Sequence, residues 1–519
     1  MNNKEEQIKV YVMIGTIIML IVIFSGITYA FFSASNNKGS TSVVEVKSGK
    51  MTISYADGKS SLLVSKDIQP SNKIIIDKTF TLTGTNTTSG LAMPYKVGLN
   101  YVSEFSDGQI HYYIKRTNTN TNVTSTLVGT ENQTIPGNTA ETGYTSGTLK
   151  KGNRYLELAT GEFKANTSNQ TITFNLKIQF PDTGVSQDSE KGKTLTGEIV
   201  VNYEPKSIAQ TIASLNFSEN GLEIDNTKDK NIRYVGVNPR NYITFNNETW
   251  RIVGVFNNIT TIDDNGNEKQ ESLVKIIRDE RIGSYSWDSS SSVINNGCGI
   301  NEWNQADLMY ELNCDGTSSS KYCREDIPNG YLSNITNGIT KWYSGTNNNQ
   351  GATYYYSKNI KKGYINYIAT ARWNLGGATY GSSSLNSYKE ERGTNHISNP
   401  SDGISRSNFW EGKVALMYPS DYGYASTDSL CRNNMSSQTN NAYNCQNNNW
   451  LLNGTYQWTL SPRNISEISL FDFTNKGWIA NVDACASSSV RPTIYLKSDI
   501  VIVGGTGENE NAYIIDEIK

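Results

Sequence analysis

The tryptophans and cysteines of this chain are confined to one part of it. All nine tryptophans, from Trp250 to Trp478, and all six cysteines lie after Pro205. A single core draws on its whole chain, so so complete a separation points to two bodies with different cores. The boundary is expected at 205–225. There Pro205-Lys206 leads into a short helical stretch, Ile208 to Leu215, and then the polar run Asn216 to Asp229. At 519 residues the chain is long enough for about two to four domains.

Composition narrows the classes. Hydrophobic residues make up 36% and charged residues 18%, and the deficit is filled by Asn, Ser, Thr, 43 Gly and 31 Tyr. That mixture favours strands and turns over helices. A net charge of −3 argues against a nucleic-acid binder. The two histidines, His111 and His396, fall in different bodies, which excludes a multi-histidine metal site. No metal or other cofactor is expected.

Val10 to Phe32 form an uncharged apolar run. As a helix rising about 1.5 Å per residue it spans a hydrocarbon core of about 30 Å. It is longer than a signal-peptide core, so an uncleaved single-pass membrane anchor is expected. Thr28-Tyr29-Ala30 offers the alternative of cleavage after Ala30. Lys4 and Lys9 before the run are balanced by Lys38 and Lys47 after it, so charge does not set the orientation.

Between Thr41 and Tyr203 the pattern alternates. Thr171 to Phe180 reads as a strand with one buried face, and Tyr95, Val97, Leu99 and Tyr101 repeat the period. Turn clusters such as Ala56-Asp57-Gly58 and Ser106-Asp107-Gly108 separate about eight such runs, which predicts a sandwich or jelly roll. Phe180-Pro181-Asp182-Thr183-Gly184 is read as a turn, not a sorting signal. The motifs Gly26-Ile27-Thr28-Tyr29-Ala30-Phe31-Phe32-Ser33, Ser48-Gly49-Lys50-Met51, Ile68-Gln69-Pro70 and Lys193 to Val201 resemble the camelysin/TasA-like biofilm-matrix proteins of Gram-positive bacteria, over roughly residues 20–204. The resemblance implies a jelly roll able to assemble into fibres by strand donation.

The second body opens with a hairpin, Asn241 to Phe256, turning at Asn246-Asn247, and a third strand, Leu273 to Asp279. Asn301 to Leu312 is expected as one helix. Trp250-Arg251-Ile252, the Trp303 helix, Tyr418-Pro419-Ser420-Asp421-Tyr422-Gly423, Trp458-Thr459-Leu460-Ser461-Pro462 and Val490-Arg491-Pro492 follow in order. They resemble a C-terminal module of surface proteins of gut Firmicutes. The Trp…Ser-Pro…Val-Arg-Pro ending is also similar to C-type-lectin-like and formylglycine-enzyme-like folds. The expected fold class is therefore mainly β with an α+β C-terminal domain. Its parts are a tail (1–9), a transmembrane helix (10–32), a β-sandwich (33–204), a linker (205–225) and a lectin-like domain (226–519).

Six cysteines allow fifteen pairings. Spacing suggests Cys314–Cys323 and Cys431–Cys445 around polar loops, leaving Cys298 with Cys485. The alternatives are free thiols or a metal cluster. Disulfides place this body outside the cell. No catalytic constellation stands out: His396 lies in a polar stretch and is read as a surface-loop residue, and Gly504-Gly505-Thr506-Gly507 as a turn. In lectin-like folds a ligand face forms just before the last strands. The resemblance therefore implies Trp478, Asp472, Arg463 and Trp458 as ligand-binding candidates. Arg491 is read instead as a buried structural residue, paired with a carboxylate such as Asp421. The expected function is a non-catalytic, membrane-anchored surface protein that recognises an extracellular glycan or protein. The alternative is a structural subunit of a surface fibre.

Overall fold

The computed structural model describes residues 46–517 apart from 49–50, 58–61, 65–67, 87–91, 118–121, 138–139, 167, 204–205, 290–297, 318, 328–329, 333–338, 342–352, 356–361, 399 and 440–441. The expected membrane segment, Val10 to Phe32, lies outside the described residues. Among the described residues no helix is long and apolar enough to cross a membrane. The chain divides into two compact units, one ending at Lys206 and one running from Ser207 to Glu517.

The first unit is built from two antiparallel sheets. One has seven strands in the order Val46–Ser48, Met51–Asp57, Ile74–Asn86, Gln170–Gln179, His111–Arg116, Tyr144–Thr148, Thr130–Gln133. The other has five, in the order Leu62–Val64, Leu195–Tyr203, Met93–Ser103, Gly152–Phe163, Val123–Leu127. Alternate residues of both meet in one core: Phe80, Leu82 and Phe174 from the first, Tyr95, Val97, Leu99 and Phe163 from the second. The contact is close at Gly84, where an added Cβ would stand 2.3 Å from the Phe163 ring. Only glycine fits there.

The Gln170–Gln179 strand departs from the single buried face that its alternation predicts. Asn175, Lys177 and Gln179 are buried on its other face. Each has polar partners there: Tyr144 Oη donates to Asn175 Oδ1 (2.8 Å), Lys177 Nζ reaches Glu141 (2.8 Å), and Gln179 Nε2 donates to Pro136 O (3.1 Å). A polar sequence period therefore hid a covered face. The polar atoms are satisfied by the segment laid over them, as burial requires.

The second unit holds an eleven-stranded sheet and a separate five-stranded one. The central run of the large sheet is Val414–Ala415, Thr493–Tyr495, Glu268–Arg278, Glu248–Ile262, Tyr242–Phe245, Tyr513–Glu517, Ile500–Gly504. The expected hairpin forms, and its turn residues Asn246 and Asn247 both have positive φ (58° and 60°). Asparagine tolerates that region better than most residues. The expected helix over 301–312 is instead two pieces, a 3₁₀ turn Trp303–Gln305 and a helix Asp307–Asn313. Ala306 between them is extended (ψ 139°), and the Asp307 N–H is taken by Asp288 Oδ1 at 3.1 Å.

The expected linker, 205–225, is corrected by the structure. Helix Ile208–Ala213, capped by Ser207, buries Ile208, Ala209 and Ile212 and belongs to the second unit. Asp225 is buried too, and receives Arg233 Nε at 2.9 Å. The polar sequence of 216–229 reads as a linker because its side chains bond locally, as Asp225 does to Thr227 and Asn231. A fragment 207–517 is thus expected to fold alone, whereas 226–517 loses both the helix and Asp225. Circular dichroism melts of the two fragments check this: cooperative unfolding is expected only for the longer one.

Candidate functional site

The five-stranded sheet runs Gly283–Tyr285, Ser488–Val490, Gln457–Pro462, Ser469–Phe473, Ile479–Asp483, so the sequence-predicted site residues sit in or beside its last three strands. The structure divides them. Trp458 is 1% exposed and its Nε1 donates to Tyr285 O at 2.7 Å. Asp472 is also buried; its Oδ2 accepts from Ser488 Oγ at 2.8 Å, and its Oδ1 has no hydrogen-bond partner. Both are interior residues: Trp458 lies in Gln457–Pro462, which is buried on both faces, and Asp472 in the neighbouring Ser469–Phe473, buried from Leu470 on. Trp478 and Arg463 are half-exposed. The Arg463 guanidinium lies 6.0 Å from the rings of Tyr380 and Phe471.

Trp478 stacks on Tyr443, with ring centroids 3.9 Å apart and planes 25° from parallel. The base beneath this pair is fixed from several sides. Tyr443 lies two residues before Cys445, which is bonded to Cys431 in helix Ser429–Asn433. Trp478 follows Gly477, whose φ of 85° suits glycine and where a Cβ would stand 2.9 Å from Cys445 O. Tyr422, in helix Pro419–Ala425, donates to both Cys445 O and Gly477 O at 3.3 Å. The Tyr422 ring stacks on Phe473 (3.6 Å). One phenol therefore ties together the two segments that carry the exposed aromatic pair. Sequence reasoning found Trp478 and missed Tyr443 and Tyr422; the adjacency of Tyr443 to a disulfide cysteine was the available signal.

The three disulfides are Cys298–Cys485, Cys314–Cys323 and Cys431–Cys445, so all six cysteines are paired. Arg491 is buried as expected, and the carboxylate it meets is Asp279 (Nη2 to Oδ1 3.8 Å) rather than Asp421. Its Nε donates to Arg278 O (2.7 Å) and its Nη1 to Leu451 O (3.1 Å). Asp421 is held instead by Arg233 and Lys275, which reach it from two strands of the large sheet.

A narrow cleft opens near Pro462 at the end of the Gln457–Pro462 strand. It is lined by Trp287, Glu302, Trp303, His396 and Arg406 together with Leu375 and Leu460. The two indoles lie 5.1 Å apart. Glu302 accepts from the backbone N–H of Asn304 (3.2 Å) and Ser407 (2.9 Å), and burial pushes its carboxyl up. Arg406 donates to Asn301, Asp402, Ile404 O and Glu467 O. His396 lies in a loop, half-exposed, with its Nε2 2.9 Å from Asn408 Oδ1.

No family model matches this chain, and no curated protein matches it. Among solved structures, the enzymatically active domain of tailspike protein 4 of bacteriophage CBA120 is similar at 10% identity over 30% of this chain, with a TM-score of 0.13. The match spans 19% of that domain, and a likeness of this size carries no argument about fold or function.

The interior position of Asp472 has a pH consequence. Burial raises its pKa to about 6, against the lowering effect of the Ser488 hydrogen bond. Its unfolded value is about 4, so the folded state holds the proton more tightly. The stabilisation from that proton is full below about pH 4 and is lost as pH rises through about 6. Asp472→Asn is therefore expected to match the parent at pH 4 and to exceed it by about 2 kcal/mol at pH 8. Denaturant titrations of both proteins at the two pH values check the difference.

Proposed function

We propose that this chain is a membrane-anchored bacterial surface protein whose second unit is a lectin-like recognition head, with Trp478 as its contact residue. The observation that carries this reading is the half-exposed Trp478–Tyr443 stack on a base fixed by a disulfide and by Tyr422. A pre-positioned aromatic surface loses little conformational entropy on binding. Tryptophan and tyrosine also dominate the energetics of recognition surfaces. The three disulfides support an extracellular site for this unit. With every cysteine paired, no thiol is left for chemistry of the formylglycine-enzyme type. The two-sheet first unit is in keeping with the jelly roll that its sequence resemblance implies.

The test is binding of the full chain to glycan and extracellular-protein arrays, with Trp478→Ala alongside. The variant is expected to bind about 30-fold more weakly, a loss of about 2 kcal/mol, with its melting temperature little changed. Unfolding of the variant would make Trp478 a packing residue, and undiminished binding would remove it from the site. A parent protein that binds nothing would leave the structural-fibre reading in its place.

A further inference from the structure

We infer that the outer edge of Ile479–Asp483 adds an extended peptide segment of a partner protein as a further strand. This rests on the reading of the second unit as a recognition head, and names a polypeptide as what the Trp478 site takes. Ile479–Asp483 ends the five-stranded sheet and pairs on one side, with Ser469–Phe473. The direction of its backbone groups follows from the register. Along an antiparallel ladder, successive residues alternate between bonding the partner strand and pointing away from it. Thr474 N–H donates to Trp478 O (3.0 Å) and Ala484 N–H to Ile468 O (2.8 Å), so the even-numbered residues face the partner strand. Ile479, Asn481 and Asp483 therefore turn their N–H and C=O groups outward. The Ile479 N–H agrees, since it leaves the sheet to reach Met435 O at 3.1 Å.

Two of these outward groups are used, the Ile479 N–H by Met435 and Asp483 O by the Ala486 N–H (2.9 Å). The Ile479 C=O, both groups of Asn481 and the Asp483 N–H have no hydrogen-bond partner among the described residues. Asn481 and Asp483 are exposed. Natural sheet edges are commonly blunted by a bulge, a proline or a covering segment. This one keeps an unbroken register over its whole length and contains no proline.

Spacing and the two ends select the occupant. Equivalent backbone groups recur every second residue, about 7 Å along a strand. An extended polypeptide repeats its donors and acceptors at that interval, and a sugar ring does not. The aromatic pair stands at one end of the free stretch. Trp478 directly precedes the strand, and Tyr443 belongs to the segment whose Met435 caps Ile479. A peptide laid from Asp483 towards Ile479 thus runs to the Trp478–Tyr443 stack, about 17 Å away. The ends carry opposite exposed charges, Asp483 at one and Lys476, just before Trp478, at the other. They favour a peptide with a basic residue at its Asp483 end and an apolar or aromatic residue about five positions away, at Trp478.

Panning the full chain against a phage-displayed library of random linear peptides tests this, with fluorescence polarisation of the enriched sequences. Peptides of that pattern are expected to be enriched. Trp478→Ala and Asn481→Pro should each weaken them about tenfold or more, the scale of one lost hydrogen bond or anchor contact. The melting temperature of Asn481→Pro should change little, because the lost N–H points away from the ladder and edge strands tolerate proline. Methylating the peptide's backbone nitrogens one at a time should weaken binding at every second position. If Asn481→Pro fails to fold, the methylation series decides. No enriched peptide, full affinity in Asn481→Pro, or methylation effects without a two-residue period overturns the proposal. A glycan bound on the arrays, lost in Trp478→Ala and kept in Asn481→Pro, with no peptide enriched, removes the edge site and leaves the recognition head standing. A parent that binds neither arrays nor peptides ends both readings.

Discussion

The second unit is organised around one buried carboxylate, Asp421. It accepts Arg233 Nη1 at 2.7 Å, Lys275 Nζ at 2.9 Å and its own helix's Tyr418 N–H at 3.0 Å. Arg233 belongs to the Ile232–Tyr234 strand, Lys275 to Glu268–Arg278, and Asp421 to helix Pro419–Ala425. All three side chains are almost wholly buried. Burial would raise the Asp421 pKa, but Lys275 and Arg233 outweigh it and hold the carboxyl below its ordinary value. Burial pushes Lys275 down to about 8 against the pull of Asp421. Its ammonium also faces aromatic rings, with Phe256 at 4.2 Å and Tyr418 at 4.6 Å. Such a cluster adds little net stability over an apolar core, but removing one partner leaves uncompensated buried charge. It therefore fixes where the helix docks on the sheet.

That docking reaches the candidate site through the next residue. Tyr422 follows Asp421 in the helix, and its hydroxyl bonds the Cys445 and Gly477 carbonyls beneath the Tyr443–Trp478 stack. The anchored helix, not the surface loops alone, sets the aromatic pair. The Cys431–Cys445 bridge supports the same base from the other side by restraining the chain around Tyr443.

Much of this was legible in the sequence, and the failures share a cause. Two bodies, the Asn246-Asn247 hairpin and the strand periodicity follow from local chemistry that needs no partner. Burial of Arg491 was expected because an ion-paired arginine inside a packed domain is commoner than a ligand clamp. That its carboxylate is Asp279 and not Asp421 was not, because it depends on contact between segments about 200 residues apart. Trp458 and Asp472 were misplaced onto a surface for a related reason. Polar and aromatic residues in alternation look the same whether a second layer covers them or not. The linker 205–225 read as polar because Asp225, Thr227 and Asn231 satisfy one another, which is invisible without the turn that joins them.

The dependence of the second unit on Asp421 is open to a single direct measurement. Asp421→Asn removes the charge that Arg233 and Lys275 share and keeps the shape of the side chain. Equilibrium unfolding of the full chain at pH 7, followed by tryptophan fluorescence because all nine tryptophans lie in this unit, reports the effect. The account predicts a loss of about 3–5 kcal/mol, the usual consequence of stranding buried cations. A variant as stable as the parent to within about 0.5 kcal/mol, a change ordinary for surface substitutions, would contradict it.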